Sequence, residues 1–165
     1  MEHSELAALN LEQLIDCLDD LEQKRTPVGW TPDDAVLKAS VERRILELIG
    51  EDVADSERRS GMRIPCHMMV LVRAKDRSIT GTVANIGKGG AFVATASSLP
   101  RGTHVNVEIR GAGDERGLRA RGRVAWTTEE GTPGLGISFS EQPSSAHERR
   151  LHRFVMEVLR HRAEA

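Results

Sequence analysis

His104-Val105-Asn106-Val107-Glu108-Ile109 alternates polar and apolar residues without a break, the period-two signature of a strand with one buried face. The same period holds on both sides of it. Downstream, Leu118, Ala120, Gly122 and Val124 alternate with Arg119, Arg121 and Arg123, and Leu135, Ile137 and Phe139 alternate with Gly136 and Ser138. Upstream, Cys66, Met68, Val70 and Val72 alternate with His67, Met69, Leu71 and Arg73. Residues 77–86 and 90–96 supply two further strands around a glycine-rich turn. Six short strands punctuated by Gly and Pro predict a small antiparallel barrel or sandwich. A helix follows near 145–162, with Leu151, Phe154, Val155, Val158 and Leu159 on its apolar face and arginines on the other.

Ahead of the strands the period lengthens. Ala7, Leu11, Leu14, Leu18 and Leu21 are spaced by four and three, which predicts a helix from Ser4 to about Arg25. Thr26-Pro27-Val28-Gly29 ends it. Thr31 as cap, Pro32 in the first turn and Asp33 and Asp34 at the dipole's positive end start a second helix. Leu37, Val41, Ile45 and Leu48 form its seam, and Gly50 stops it. The chain thus divides into an acidic helical hairpin (1–50), a linker (51–57), a β domain (58–142) and a terminal amphipathic helix (143–165). Charge divides at the same place. Residues 1–57 carry 15 acidic and 5 basic side chains, a net −10, and residues 58–165 carry 18 basic and 10 acidic, a net +8. The overall −2 of the 165-residue chain conceals this partition.

Composition excludes several classes. No stretch approaches the roughly 18 uninterrupted apolar residues of a membrane span. The acidic start, MEHSELAALN, lacks the basic-then-apolar layout of a signal peptide. Cys17 and Cys66 form neither a disulfide framework nor a zinc spacing, so the expected compartment is the cytoplasm. His147, His152 and His161 share no metal-ligand spacing, and no nucleophile signature is present. No catalytic or metal-binding residue is assigned, and an enzyme is not expected. Two Trp, three Phe and no Tyr disfavour modules that stack nucleic-acid bases on aromatic platforms; Trp30 and Trp126 read most simply as core or interface residues.

Two segments of the basic half stand out. Arg58-Arg59-Ser60-Gly61-Met62-Arg63 enters the first strand, and Asn85-Ile86-Gly87-Lys88-Gly89-Gly90 turns between the second and third. Together they resemble the PilZ domain, a bacterial receptor module for the second messenger cyclic di-GMP. That family carries an RxxxR element with an extra preceding Arg, then a [D/N]xSxxG element. Arg59 and Arg63 match the first, Arg58 is the extra Arg, and Asn85 and Gly90 match the ends of the second. The resemblance extends over about 57–140, including Gly122-Arg123-Val124-Ala125-Trp126 and Gly134-Leu135-Gly136-Ile137-Ser138-Phe139. It implies an α+β fold, a six-stranded antiparallel β-barrel with a C-terminal helix and here an N-terminal helical hairpin. It also implies a cyclic di-GMP site at Arg58, Arg59, Arg63, Asn85, Gly87 and Gly90, with no cofactor beyond that ligand. The output implied is control of motility, exopolysaccharide or surface behaviour.

The chemistry of the residues points the same way. Arginine's planar fork matches paired acceptors on a guanine edge, stacks on its face and pairs phosphate oxygens. A glycine-rich turn lets the backbone approach a ligand closely. One position departs: the family's serine is Gly87. A neutral hydrogen bond is worth about 0.5–1.5 kcal/mol net, roughly two- to tenfold in affinity. Lys88 beside it is a candidate phosphate contact.

The plainer readings are a solvated basic cluster at Arg58–Arg63 and an ordinary hairpin turn at 85–90. Arg119, Arg121 and Arg123 form a basic stripe, read as an exposed face or a contact surface for ligand or partner. The protein partner is unidentified and is expected to meet the N-terminal helices. Those acidic helices are also candidates to shield the arginines. A homodimer through the first helix's seam is the alternative to packing within the hairpin. Nucleic acid is a minor third reading. The functional alternative is a degenerate PilZ-like adaptor that binds protein without nucleotide.

Overall fold

The computed structural model describes residues 3–51, 62–111, 117–139 and 145–164. Two compact units emerge: one comprises Met1–Met62 and Leu159–Ala165, the other Arg63–Val158.

In the first unit the single N-terminal helix expected from Ser4 is two helices, α1 (His3–Ala7) and α2 (Leu11–Gln23). The break has a local cause. Asn10 adopts extended backbone and closes a capping box, accepting at Oδ1 from the Gln13 N–H at 2.8 Å while Gln13 Oε1 accepts from the Asn10 N–H at 2.9 Å. Helix α3 (Pro32–Ile49) starts where Thr31 Oγ1 accepts from the Asp34 N–H and stops at Gly50, whose φ of +80° suits glycine. Leu14, Ile15, Leu18 and Leu21 of α2 and Val41, Ile45 and Leu46 of α3 are buried. The buried arc of α3 is turned toward Leu46, so Leu48, expected in the seam, is 43% exposed. Between α2 and α3, Thr26 and Gly29 exchange backbone hydrogen bonds of 2.9 Å, and Trp30 Nε1 donates to the Leu21 carbonyl at 2.7 Å. Burial, then Asp20 and Asp16, push the Cys17 thiol upward, so it stays protonated and a poor nucleophile at neutral pH.

The second unit is a closed antiparallel barrel in the order β1-β2-β3-β6-β5-β4. Its strands are β1 (Arg63–Arg73), β2 (Ser78–Gly87), β3 (Gly90–Ala94), β4 (His104–Ile109), β5 (Leu118–Thr128) and β6 (Gly134–Phe139). The apolar members of each alternation fill the interior: Ile64, Val72, Val83, Ile86, Val93, Val124 and Leu135 are fully buried. Closure runs from Val70↔Ile109 to Arg73↔Asn106 between β1 and β4, which leaves no open sheet edge. Register shifts fall at Pro65/Met68, Val83/Asn85 and Val124/Trp126. Helix α4 (Ser145–Glu164) follows the barrel, and its last turn belongs to the helical unit. There Arg160 reaches three acidic residues of α2, with Nη2 2.6 Å from Asp19, Nη2 3.3 Å from Asp16 and Nε 3.7 Å from Glu12.

Candidate functional site

The two motif segments meet where β1 begins and β2 ends. Arg63 pairs directly with Gly87, and Pro65 with Asn85. Ile64 and Ile86, the pair between them, are both buried inside the barrel. Arg63, Gly87, Pro65 and Asn85 therefore belong to the outer wall. Asn85 owes this to the bulge. The alternation that buries Ile79 and Val83 would turn residue 85 inward; the extra residue between Val83 and Asn85 restarts the count, so that Ile86 is inside.

The turn after β2 is held against β6. The Phe139 N–H donates to the Gly89 carbonyl at 2.9 Å. At Gly90 a Cβ would stand 2.1 Å from the Ile137 carbonyl oxygen, so only glycine permits this approach. Lys88 is exposed at the turn, and Gly87 is buried. Asn85 supplies the site's unmet chemistry: its Oδ1 is buried and accepts no hydrogen bond among the described residues. Leaving such an acceptor unpaired costs about 1–3 kcal/mol.

Beside Asn85 lies a feature that strand alternation does not reveal. Asn85 pairs with Phe92 on β3, Phe92 with Gly136 on β6, and Gly136 with Trp126 on β5. The Phe92 and Trp126 rings stack across Gly136 with centroids 5.3 Å apart and planes 8° from parallel. A Cβ at Gly136 would lie 2.1 Å from the indole. The bulge at Val124/Trp126 turns Trp126 outward, where it remains 42% exposed. Of the two readings of Trp126, core or interface, the exposed position removes the first. The scarcity of aromatics did not preclude a stacked pair with its indole exposed.

The arginine stripe of β5 is divided by register. Arg123 pairs with Ser138, which pairs with Gly90, so it shares a row with the glycine turn. Arg121 faces Asn106, and Arg119 faces Glu108, with its Nε 3.8 Å from that carboxylate. Arg58 and Arg59 lie outside the described residues. No cluster of three or more metal-ligating side chains occurs among the described residues, and no helix there is long and apolar enough to cross a membrane.

The sequence model of the PilZ domain matches residues 57–157, more than half of the chain. The chain belongs to the PilZ domain family. Among solved structures, the PilZ domain of YcgR from Escherichia coli with cyclic di-GMP is 20% identical at a TM-score of 0.56, covering 65% of this chain and 95% of that one. Full-length YcgR in complex with cyclic di-GMP matches at 20% identity and a TM-score of 0.55, covering 65% of this chain and 48% of that one. The Bacillus subtilis inhibitor of motility, MotI/DgrA, matches at 18% identity and a TM-score of 0.50, over 65% of this chain and 52% of that one. This PilZ protein therefore spans about half the length of two of these relatives. At such identities the likeness is one of fold. No curated protein matches the chain.

Proposed function

We propose that this PilZ domain is a receptor for cyclic di-GMP that passes ligand occupancy to a protein partner, without catalysis. The observation that carries the reading is the buried, unpaired Oδ1 of Asn85 on the outer wall, between the Arg63–Gly87 pair and the Phe92–Trp126 stack. A guanine offers N–H donors for that oxygen, O6 and N7 acceptors for arginine forks, and a π face for the exposed indole. Its phosphodiesters suit Arg63 and Lys88, with Arg58 and Arg59 joining from the segment that precedes β1. Arg123, on the Gly90 row, adds positive charge on the other side of the turn. The messenger and the processes proposed for it, motility, exopolysaccharide or surface behaviour, are those that the family resemblance implies. Isothermal titration with cyclic di-GMP tests the reading: a saturable isotherm supports it, and no heat from folded protein at high micromolar ligand overturns it.

One observation favours a second reading, a PilZ domain that has lost the nucleotide and serves as a protein adaptor. Gly87 stands buried where the family carries serine, so the hydroxyl that would meet a guanine or the turn backbone is missing. Restoring it separates the two. Gly87→Ser strengthens cyclic di-GMP binding by about two- to tenfold if the site is used, and leaves it undetectable if it is not.

A further inference from the structure

A concavity of about 1120 Å³ opens on the barrel unit, between the outer wall of β1, β4 and β5 and helix α4. It shares no residue with the glycine-turn end. Arg110 and Arg119 stand on the barrel side and Arg150 and Arg153 on the helix side, all four exposed. Arg110, Arg150 and Arg153 make no ion pair among the described residues, and Arg119 makes only the 3.8 Å contact to Glu108. Between the arginines the lining is apolar: Met69, 63% exposed, and half-buried Leu71 share it with Phe154, which is itself buried. Glu108 and Glu157 also line the groove, so among the described residues four cations face two anions. Glu108 is engaged by Arg73 at 3.9 Å and by Arg119.

The volume exceeds the roughly 300–1,000 Å³ of small-molecule sites, and the barrel has no free edge at which a partner strand could add. Guanidinium groups on both sides of an apolar floor complement a segment with carboxylates along its flanks and apolar side chains between them. A polynucleotide fits less well, because it has no use for Met69 and its phosphates would meet two carboxylates. An exposed methionine adapts to apolar partners of varied shape, and arginine forks pair carboxylates bidentately. We infer that this groove docks an acidic amphipathic helix of a partner protein, its apolar residues on Met69 and its carboxylates on the arginines of the two walls. The inference does not rest on nucleotide binding.

The test uses the full chain and a fluorescein-labelled peptide with leucines at i, i+4, i+7 and i+11 and glutamates elsewhere. A peptide with lysines replacing the glutamates and a short DNA duplex serve as controls, all read by fluorescence anisotropy. The acidic peptide is expected to bind and the lysine peptide and the duplex to fail. The double variant Arg110→Glu/Arg153→Glu and, separately, Met69→Glu should each weaken it by about tenfold or more with unchanged melting. All three sites are exposed, and unchanged melting shows that the variants fold before affinities are compared. Absence of acidic-peptide binding at about 1 mM, near the weakest useful affinity, overturns the inference. So does binding that both variants leave unchanged. Equal or tighter binding of the duplex, with a steep salt dependence, would assign the groove to a polyanion instead and overturn it as well. Cyclic di-GMP titration of the same variants should match wild type, so failure here is distinguishable from failure of the receptor reading.

Discussion

The helical unit and the barrel unit differ in how they use their cations. In the helical unit Arg25 pairs with Glu22, Lys38 with Glu42, Arg43 and Arg44 with Glu47, and Arg160 with three carboxylates. On the barrel unit Arg110, Arg121, Arg150 and Arg153 make no ion pair among the described residues. The barrel also pairs Arg73 and Arg119 with Glu108, but these four arginines face outward. The difference teaches that the charge partition alone does not locate a binding site, because the same excess of charge can be paired internally or left facing outward. The barrel's order comes instead from backbone contact, through closure, bulges and glycines. Charge changes on its wall should therefore move affinity, whereas charge changes in the helical unit should move stability.

The largest effect is expected where backbone contact in the barrel is broken. Gly90→Ala places a Cβ 2.1 Å from the Ile137 carbonyl oxygen, and no flexible side chain can yield there. The β3–β6 ladder must separate locally, and overpacking of this kind costs about 3 kcal/mol or more. Thermal denaturation should show a fall in Tm well beyond that of an exposed Gly89→Ala, where a Cβ meets nothing within 4 Å. Equal melting of the two variants would refute the close-contact account of this turn.

Much of the barrel was legible in the alternation of residues 64–139, because burial on one face of a strand imposes a period that any reader can count. The ends of both motif segments were legible too, since Arg63, Asn85 and Gly90 stand at recognisable spacings. What was not legible is phase. A bulge inserts one residue with no compositional mark, and two of them decide which way Asn85 and Trp126 face. The Phe92–Trp126 stack needed a third fact, that Gly136 is their common cross-strand neighbour. A signal for it existed: glycine in a strand interior marks a close approach. In the helical half, Asn10 and Gln13 spelled a capping box, but an unbroken apolar seam from Ala7 to Leu11 hid the interruption.

Affinity effects come next. Arg63→Ala removes a charge-assisted contact and should weaken cyclic di-GMP binding by about 1.5–3 kcal/mol, roughly tenfold to more than a hundredfold. Because Arg63 stands on the outer wall opposite Gly87, the variant's Tm is expected to fall less than that of Gly90→Ala. A variant that melts early and binds normally would reverse the assignment. Gly87→Ser should act in the opposite direction and more weakly, within the two- to tenfold gain already given. Its titration is read at the same temperature as that of Arg63→Ala.

The smallest effect is expected in the helical unit, and it carries the comparison's sharpest sign. Arg160 sits among Glu12, Asp16 and Asp19, and its hydrogen bond to Asp19 leads the causes that raise its already high pKa. It is therefore charged at every accessible pH, and its contribution varies with salt rather than with protons. The guanidinium is about one-third exposed, so water and ions screen it and the network is worth about 1 kcal/mol or less. Arg160→Ala should lower Tm by a few degrees at low ionic strength, and the deficit should shrink near 1 M salt, where the Debye length falls to about 3 Å. Nucleotide affinity should be unchanged. A deficit that persists at high salt would mean the arginine acts through packing of its stem. A change in affinity instead would show that the helical unit and the nucleotide site are energetically linked.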